Sequence, residues 1–481
     1  MRYPDLAIIA LYLAGITWFG AHFRHSQKSL KDYYLGGRNA PWWAIALSIV
    51  SAETSTLTII GTPTLAFAGN LAFLQVVFGY LLARVAISAL FLPHYFRGET
   101  FTAYELMERR FGVRLRRLTA GTFLVVRGLA EGIRVFAISI VISIILGTGE
   151  MASIVLIVCL TLFYTFEGGM TAVIWTDVVQ MFLYVFGAVV SFYVILQHIP
   201  GGWGHVVAVA GPAGKFALFD FRFAPTAEFF ARKYTFWSGL IGGCFLTTAS
   251  HGTEQLFVQR LLAARSQAQS RLALFASWAV ILVQFSLFLG IGVILYVFYQ
   301  DANLRPPQPP DWLYPGFIWR YLPPGLAGLA IAAVLAAAMS NLSAALNSLS
   351  STTILDFYKP LRPGRSEQSY VKLARAATLI WGLALVGVGA VARHWGPVLE
   401  AGLTVASIAY GGLLGVFLLG VLTRRVGENA ALLGMAAGLA MLVYVRLDTG
   451  IAWTWYVAIG SSVTFLTGWL ASLFWKERAH G

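Results

Sequence analysis

Residues 48 to 58 read Ser48-Ile49-Val50-Ser51-Ala52-Glu53-Thr54-Ser55-Thr56-Leu57-Thr58, and Gly61-Thr62-Pro63 follows within an otherwise apolar stretch. A run this rich in hydroxyls, with a carboxylate in its middle, has two physical readings. The hydroxyls can bond back to their own helical backbone, or the helix can break there and turn its freed carbonyls toward an ion or solute. Under either reading Glu53 needs a partner, because an isolated charge at membrane depth is expensive. A second polar stripe comprises Ala337, Ser340, Asn341, Ala344, Asn347, Ser348 and Ser351, at the three-and-four spacing of one helix face. Small residues at that spacing let helices approach closely, and the same hydroxyls and amides could line a cage. Sodium is a hard cation that accepts carbonyl and hydroxyl oxygens in place of its water shell. A broken helix opposite a hydroxyl-bearing helix would supply such a cage.

Arg127, Glu131 and Arg134 form the third constellation, at i, i+4 and i+7 on one helix face. Glu131 can neutralise one arginine but hardly both, so one positive charge is expected to be left over. It could pair with Glu53 or Glu254, or it could grip a solute carboxylate in the forked geometry that arginine favours. Arg84 sits inside an apolar stretch and suggests no role beyond reaching a partner or the headgroups.

The elements that must position these groups are membrane helices. Of the 481 residues, 58% are hydrophobic and only 11% charged, against roughly 25% charged in a soluble domain. A bilayer core needs about 20 apolar residues per helix, and about thirteen such stretches recur along the chain. The broken helix belongs to the second stretch, the charged triplet to the fourth and the serine stripe to the ninth. The net charge of +13 does not point to nucleic acid, because the basic residues fall in every second loop. Arg97, Arg109, Arg110, Arg114, Arg116 and Arg117 follow the third span, and Lys359, Arg362 and Arg365 the ninth. By the positive-inside rule the N-terminus lies outside and the C-terminus in the cytoplasm. Cys159 and Cys244 lie within predicted spans, so neither a disulfide framework nor a thiolate metal site is expected.

Several strings then carry a family resemblance. Gly168-Gly169-Met170-Thr171-Ala172-Val173-Ile174-Trp175-Thr176-Asp177-Val178-Val179-Gln180 is the most specific, joined by Thr102-Ala103-Tyr104-Glu105, Gly252-Thr253-Glu254-Gln255 with Val258-Gln259-Arg260, and Leu346-Asn347-Ser348. Taken in their order along the chain they resemble the sodium:solute symporter family, whose members include sodium-driven carriers of proline, galactose and sialic acid. The resemblance implies an all-α polytopic fold with a LeuT-like core of two inverted five-helix repeats. The expected organisation is a peripheral helix and cytoplasmic loop over 1–41, a first repeat over 42–196 broken at about 48–58, and an extracellular loop over 197–233. A second repeat over 234–421 and two peripheral helices over 422–481 complete it.

The resemblance also assigns sites. The main sodium ligands fall on Leu47 and Val50 of the broken helix and on Ala337, Ser340 and Asn341 opposite, with Asn341 standing where the family usually has a serine or threonine. A second sodium in some members would fall on Asp177, Ser340 and Ser343, although Ala344 replaces one of the usual serines; Asp177 could equally pair with a basic residue. The solute pocket would draw on Ser51, Glu53, Thr54, Gln75, Glu254 and Thr404, together with Arg127 and Arg134. The sugar-contacting set of the galactose carrier is not reproduced. Members that carry acidic sugars use an arginine in the fourth span, so an organic acid or acidic sugar is the expected solute.

The expected function is therefore sodium-coupled symport at the inner (plasma) membrane, by a chain working as a monomer, with sodium as coupling ion and no organic cofactor. A proton-coupled carrier of the same fold would instead use Glu53, Asp177 or Glu254 as its proton site. A membrane enzyme would need a nucleophile–base pair or metal cluster, and a membrane sensor a soluble output domain; neither stands out in the sequence.

Overall fold

A computed structural model describes residues 3–21, 29–97, 100–308, 310–392 and 398–475. Among these the chain is helical, with no strand beyond one isolated bridge between Ala40 and Ala264. In chain order the main helices are α1 (Tyr3–Ala21), α2 (Trp42–Glu53), α3 (Thr56–Ala68), α4 (Leu74–Ala86), α5 (Val113–Leu146), α6 (Glu150–Gln197) and α7 (Gly243–Thr253). They continue as α8 (Gln255–Leu262), α9 (Gln267–Asp301), α10 (Leu326–Thr352), α11 (Glu367–Ala392), α12 (Val398–Leu422), α13 (Glu428–Asp448) and α14 (Tyr456–Phe474). Eight helices among the described residues are long and apolar enough to cross a membrane, or nine if one bent pair counts as a single span. Tyr3–Ile16 and Glu150–Phe163 are apolar but shorter. The chain is thus a polytopic helical membrane protein.

The bent pair is α2 and α3, which meet at 64°, and local chemistry explains the break. Thr54 leaves the helical region (φ −84°, ψ 91°), and its hydroxyl donates back to the Val50 carbonyl at 2.8 Å. Ser55 is extended as well and caps α3 through a reciprocal box with Thr58. Adjacent end-cap and start-cap residues therefore satisfy part of what a helix break leaves unpaired. The break also lies where two buried apolar clusters meet, one holding Ile49 and Ala52 and the other Val50 and Ile59.

A second break was not expected. Within the seventh predicted span Glu254 adopts an extended conformation (φ −88°, ψ 130°) and separates α7 from α8. Pro is absent there and the nearest glycine is Gly252, so the backbone signal is weak. A third interruption lies in α6, where Gly169 takes φ 56° and ψ −157° between the two spans expected there. A positive φ suits glycine because it has no Cβ to clash.

Two further features place the site. In the span Leu326–Leu361, which contains α10, the most apolar window is 94% buried, whereas the corresponding window of Trp453–Phe474 is 28% buried. Helix α10 is therefore surrounded by protein, and α14 shows most of its surface to lipid. Glycines bring α4 against the turn at 238–242 and the start of α7: a methyl group on Gly79 would lie 2.6 Å from the carbonyl oxygen of Gly239 and 2.8 Å from the Cys244 amide nitrogen.

Candidate functional site

The end of α2 touches the middle of α10 at two successive residues. The Ser51 and Ser340 hydroxyl oxygens are 2.7 Å apart, and Asn341 Nδ2 donates to the Ala52 carbonyl at 2.6 Å. Ser51, Ser340 and Asn341 are all buried. Val50, one of the expected carbonyl ligands, sits one turn before the break, and its oxygen already accepts from the Thr54 amide and hydroxyl. Thr54 in turn accepts from Gln284 Nε2 at 2.6 Å. A carbonyl has two lone pairs, so a cation at this junction competes with the Thr54 hydroxyl.

Asp177 lies immediately behind Ser340. Its Oδ1 accepts from the Ser340 hydroxyl at 2.6 Å, and its Oδ2 accepts from the Ser48 hydroxyl at 2.5 Å and from Arg260 Nη2 at 2.8 Å. The Ser343 hydroxyl donates to the Ser340 carbonyl at 3.0 Å. Of the two roles open to Asp177, this geometry displays the pairing with a basic residue, and the pair is deeply buried.

Beside the break is a cavity of about 150 Å³ bordered by Glu53, Ser55, Arg127, Arg134, His251 and Tyr410, with Phe73, Phe257 and Phe285 as apolar wall. The charged groups on and behind its wall form two clusters. Glu53 accepts from Arg84 at 2.9 Å and contacts His251 Nε2 at 3.2 Å. Arg127 bridges Glu254 at 3.2 Å and Glu131 at 3.0 Å, while Arg134 reaches the same Glu131 oxygen at 3.0 Å. Tyr410 donates to the other oxygen of Glu254 at 2.5 Å. Arg84, Arg127, Arg134 and Arg260 thus stand against Glu53, Glu131, Glu254 and Asp177, and their charges cancel. Of the two outcomes open to the charge that Glu131 cannot neutralise, the geometry displays pairing with Glu254: Glu254 neutralises Arg127, and Glu131 is shared.

The arginines nonetheless differ in access. The Arg127 side chain is 4% exposed and that of Arg134 is 25% exposed. The Nε atoms of both are buried without a hydrogen-bond partner.

Several expected site residues are placed differently by the geometry. The Asn341 amide oxygen accepts from Arg127 Nη2 at 3.0 Å and Arg134 Nη1 at 2.8 Å, while its nitrogen faces the Ala52 carbonyl. An oxygen shared by two guanidinium groups is a poor sodium ligand, so in this state Asn341 belongs to the arginine lattice and not to the cage. Gln75 is spent on backbone, donating to Ala72 and Tyr234 and accepting from the Asp220 amide, and does not border the cavity. Ser51, Thr54 and Glu254 are buried behind the cavity wall. Thr404 lies on α12, but its side chain falls outside the described residues; its neighbours Gly402 and Ala406 border the cavity.

The sequence reading missed His251, Tyr410 and the role of Arg84. The histidine follows Ser250, whose hydroxyl lies 2.9 Å from His251 Nδ1, and its ring stacks on Phe257 at 3.9 Å. Its position immediately before the Gly252-Thr253-Glu254-Gln255 string was the available signal.

The Sodium:solute symporter family matches residues 33–438. The chain is 30% identical to the human Sodium/iodide cotransporter over 454 residues, covering 92% of this chain and 69% of that protein. It is also 30% identical to the human Sodium-coupled monocarboxylate transporter 1 over 460 residues, covering 93% and 73%. Its fold resembles that of a Na+-coupled sialic acid symporter in a substrate-bound outward-open state, with 26% identity, a TM-score of 0.88 and coverage of 99% of this chain and 98% of that one.

Proposed function

The chain belongs to the sodium:solute symporter family, and from that premise we propose that the small organic solute it carries with sodium is an anion whose carboxylate docks on Arg134. Sodium-coupled symport, and not enzyme catalysis, is the activity of the proteins it resembles. The observation that carries the anion reading is the position of Arg134, whose partly exposed side chain opens onto the cavity beside the α2–α10 contact. Relatives named for iodide, monocarboxylates and sialic acid support it, since each of these is an anion or an acid.

Sodium is held by the Leu47 and Val50 carbonyls, the Ala337 carbonyl and the Ser340 hydroxyl, where α2 meets α10. Because the arginine lattice is already neutral, an incoming carboxylate brings one unbalanced negative charge into a poorly solvated cavity. Sodium balances it. Two unit charges about 8 Å apart at an effective dielectric near 20 attract by about 2 kcal/mol, within the usual range of site-to-site coupling. Each ligand therefore raises the affinity of the other. An inward potential adds about 2.3 kcal/mol per charge per 100 mV.

We further infer about thirteen spans arranged as two inverted five-helix repeats over 42–196 and 234–421, working as a monomer in the plasma membrane. The two breaks at Thr54–Ser55 and Glu254, each in the first helix of its repeat, support this arrangement. Orientation follows from basic loops that meet at one end: Arg110 donates to the Thr423 carbonyl, Arg114 pairs with Glu428 and Arg116 with Asp356. That end is cytoplasmic by the positive-inside rule.

The test is uptake into proteoliposomes of monocarboxylates, acidic sugars, amino acids and neutral sugars under a sodium or a potassium gradient. Sodium-stimulated uptake of an acid, lost in Arg134→Gln, is expected. A preferred solute without a carboxylate, or an Arg134→Gln variant with full uptake, would refute the anion reading.

A further inference from the structure

We infer that the carried solute is a monocarboxylate that also bears a hydroxyl, and that Glu53, held by Arg84 and His251, selects it by accepting a hydrogen bond from that hydroxyl. The inference rests on the docking of the carboxylate on Arg134 proposed above and deepens it by naming what the rest of the solute must present.

Two charged side chains that border the cavity keep polar atoms unused. Arg134 commits Nη1 to Glu131 and Asn341, and its Nη2 has no partner among the described residues. Glu53 commits only Oε2, which accepts from Arg84 Nη2 at 2.9 Å and faces His251 Nε2 at 3.2 Å; its Oε1 has no partner among the described residues. The Glu53 side chain is 11% exposed, whereas those of Arg84 and His251 are 0% and 2% exposed. The carboxylate is therefore fixed on one oxygen by buried groups and keeps the other free. Thr62 and Thr247 border the same space, and their hydroxyls also have no hydrogen-bond partner among the described residues. Each sits in a helix, where the carbonyl four residues earlier is the usual acceptor.

Charge decides which donor fits Glu53. Arg84 already neutralises this carboxylate, so Oε1 offers lone pairs and not an unmet charge. An ammonium group there would set a second cation beside Arg84, and a second carboxylate on the solute would face Glu53 itself. Either one leaves an uncompensated charge in a poorly solvated place. A solute with no donor strips water from Oε1 and puts nothing in its stead, which a site built to accept a hydrogen bond penalises. A hydroxyl meets the oxygen without adding charge. Phe73, Phe257 and Phe285 offer apolar surface to the carbon skeleton, and Thr62 and Thr247 offer partners to further hydroxyls.

The test titrates matched acids against the purified protein in sodium, with potassium as control, and reads dissociation constants from thermal stabilisation. Lactate is compared with propionate, alanine and malonate, and gluconate with hexanoate and adipate. In each set the hydroxy acid is expected to bind at least about tenfold tighter than its counterparts, the penalty for an acceptor left unpaired. The double variant Glu53→Met/Arg84→Met removes both members of the pair and so strands no charge between them; in it the preference for the hydroxy acid over the plain acid should fall to about one, with binding of the plain acid retained. The wild-type ratios need no variant, so the inference stays falsifiable where the double variant does not fold. Equal wild-type binding of hydroxy and plain acids, tighter binding of alanine or of a dicarboxylate, or a folded double variant that keeps the preference would overturn the inference and leave the docking on Arg134 standing. No sodium-dependent stabilisation by any of these acids would overturn the carboxylate reading itself.

Discussion

At the first helix break the freed ends are met by hydroxyls: Thr54 closes α2, Ser55 opens α3, and the neighbouring contact with α10 is Ser51 against Ser340. At the second break the extended residue is a carboxylate, Glu254, held by Arg127 on one oxygen and Tyr410 on the other. Both breaks interrupt a membrane helix, yet they are suited to different occupants. Neutral hydroxyls and carbonyls can release their partners at little cost when a cation comes and goes. A buried carboxylate cannot be left alone, so it carries its counter-ion permanently. The hydroxyl break is thus suited to a travelling ion, and the carboxylate break to a fixed frame around the solute.

That contrast breaks most readily at the fixed side. Glu254→Gln keeps the shape but leaves Arg127 sharing Glu131 with Arg134, and removing one partner of a buried pair costs about 3–5 kcal/mol. Thermal unfolding of the purified protein should fall accordingly; an unchanged midpoint would show that the second break is not held by charge. Arg134→Gln should spare the fold, because its side chain is partly exposed, and lower carboxylate uptake about a hundredfold, equivalent to about 3 kcal/mol for a lost charged hydrogen bond. Initial rates at several solute concentrations check it, with a neutral solute as control. Ser340→Ala should raise the half-saturating sodium concentration about tenfold, or about 1.4 kcal/mol, read from sodium-activation curves. Ser55→Ala removes a helix N-cap and should lower stability by about 1 kcal/mol, the smallest effect, detectable in the same unfolding assay.

Much of this was legible in the chain itself. Apolar stretches announced the membrane helices because a bilayer enforces their length, and the hydroxyl cluster at 48–58 announced the first break because capping residues are local chemistry. Helix Val113–Leu146 begins earlier than expected, since Arg114, Arg116 and Arg117 lie in its first turns, past any apolar window. The second break was hidden, as a lone glutamate between Thr253 and Gln255 has no strong turn signal and is stabilised by residues far away in sequence. The same holds for Glu53 with Arg84 and for Asp177 with Arg260: sequence gave the charges but not their pairing. Asn341 illustrates the limit most sharply. Its position opposite the first break was legible, but the direction of its amide is set by two arginines on another helix.

The most direct measurement is sodium-driven uptake of a carboxylate solute by proteoliposomes holding either the wild type or Ser340→Ala, with potassium replacing sodium as the control. The account predicts robust uptake by the wild type only in sodium, and by the variant only at about tenfold higher sodium. Wild-type uptake that persists in potassium, or a variant with an unaltered sodium requirement, would contradict it.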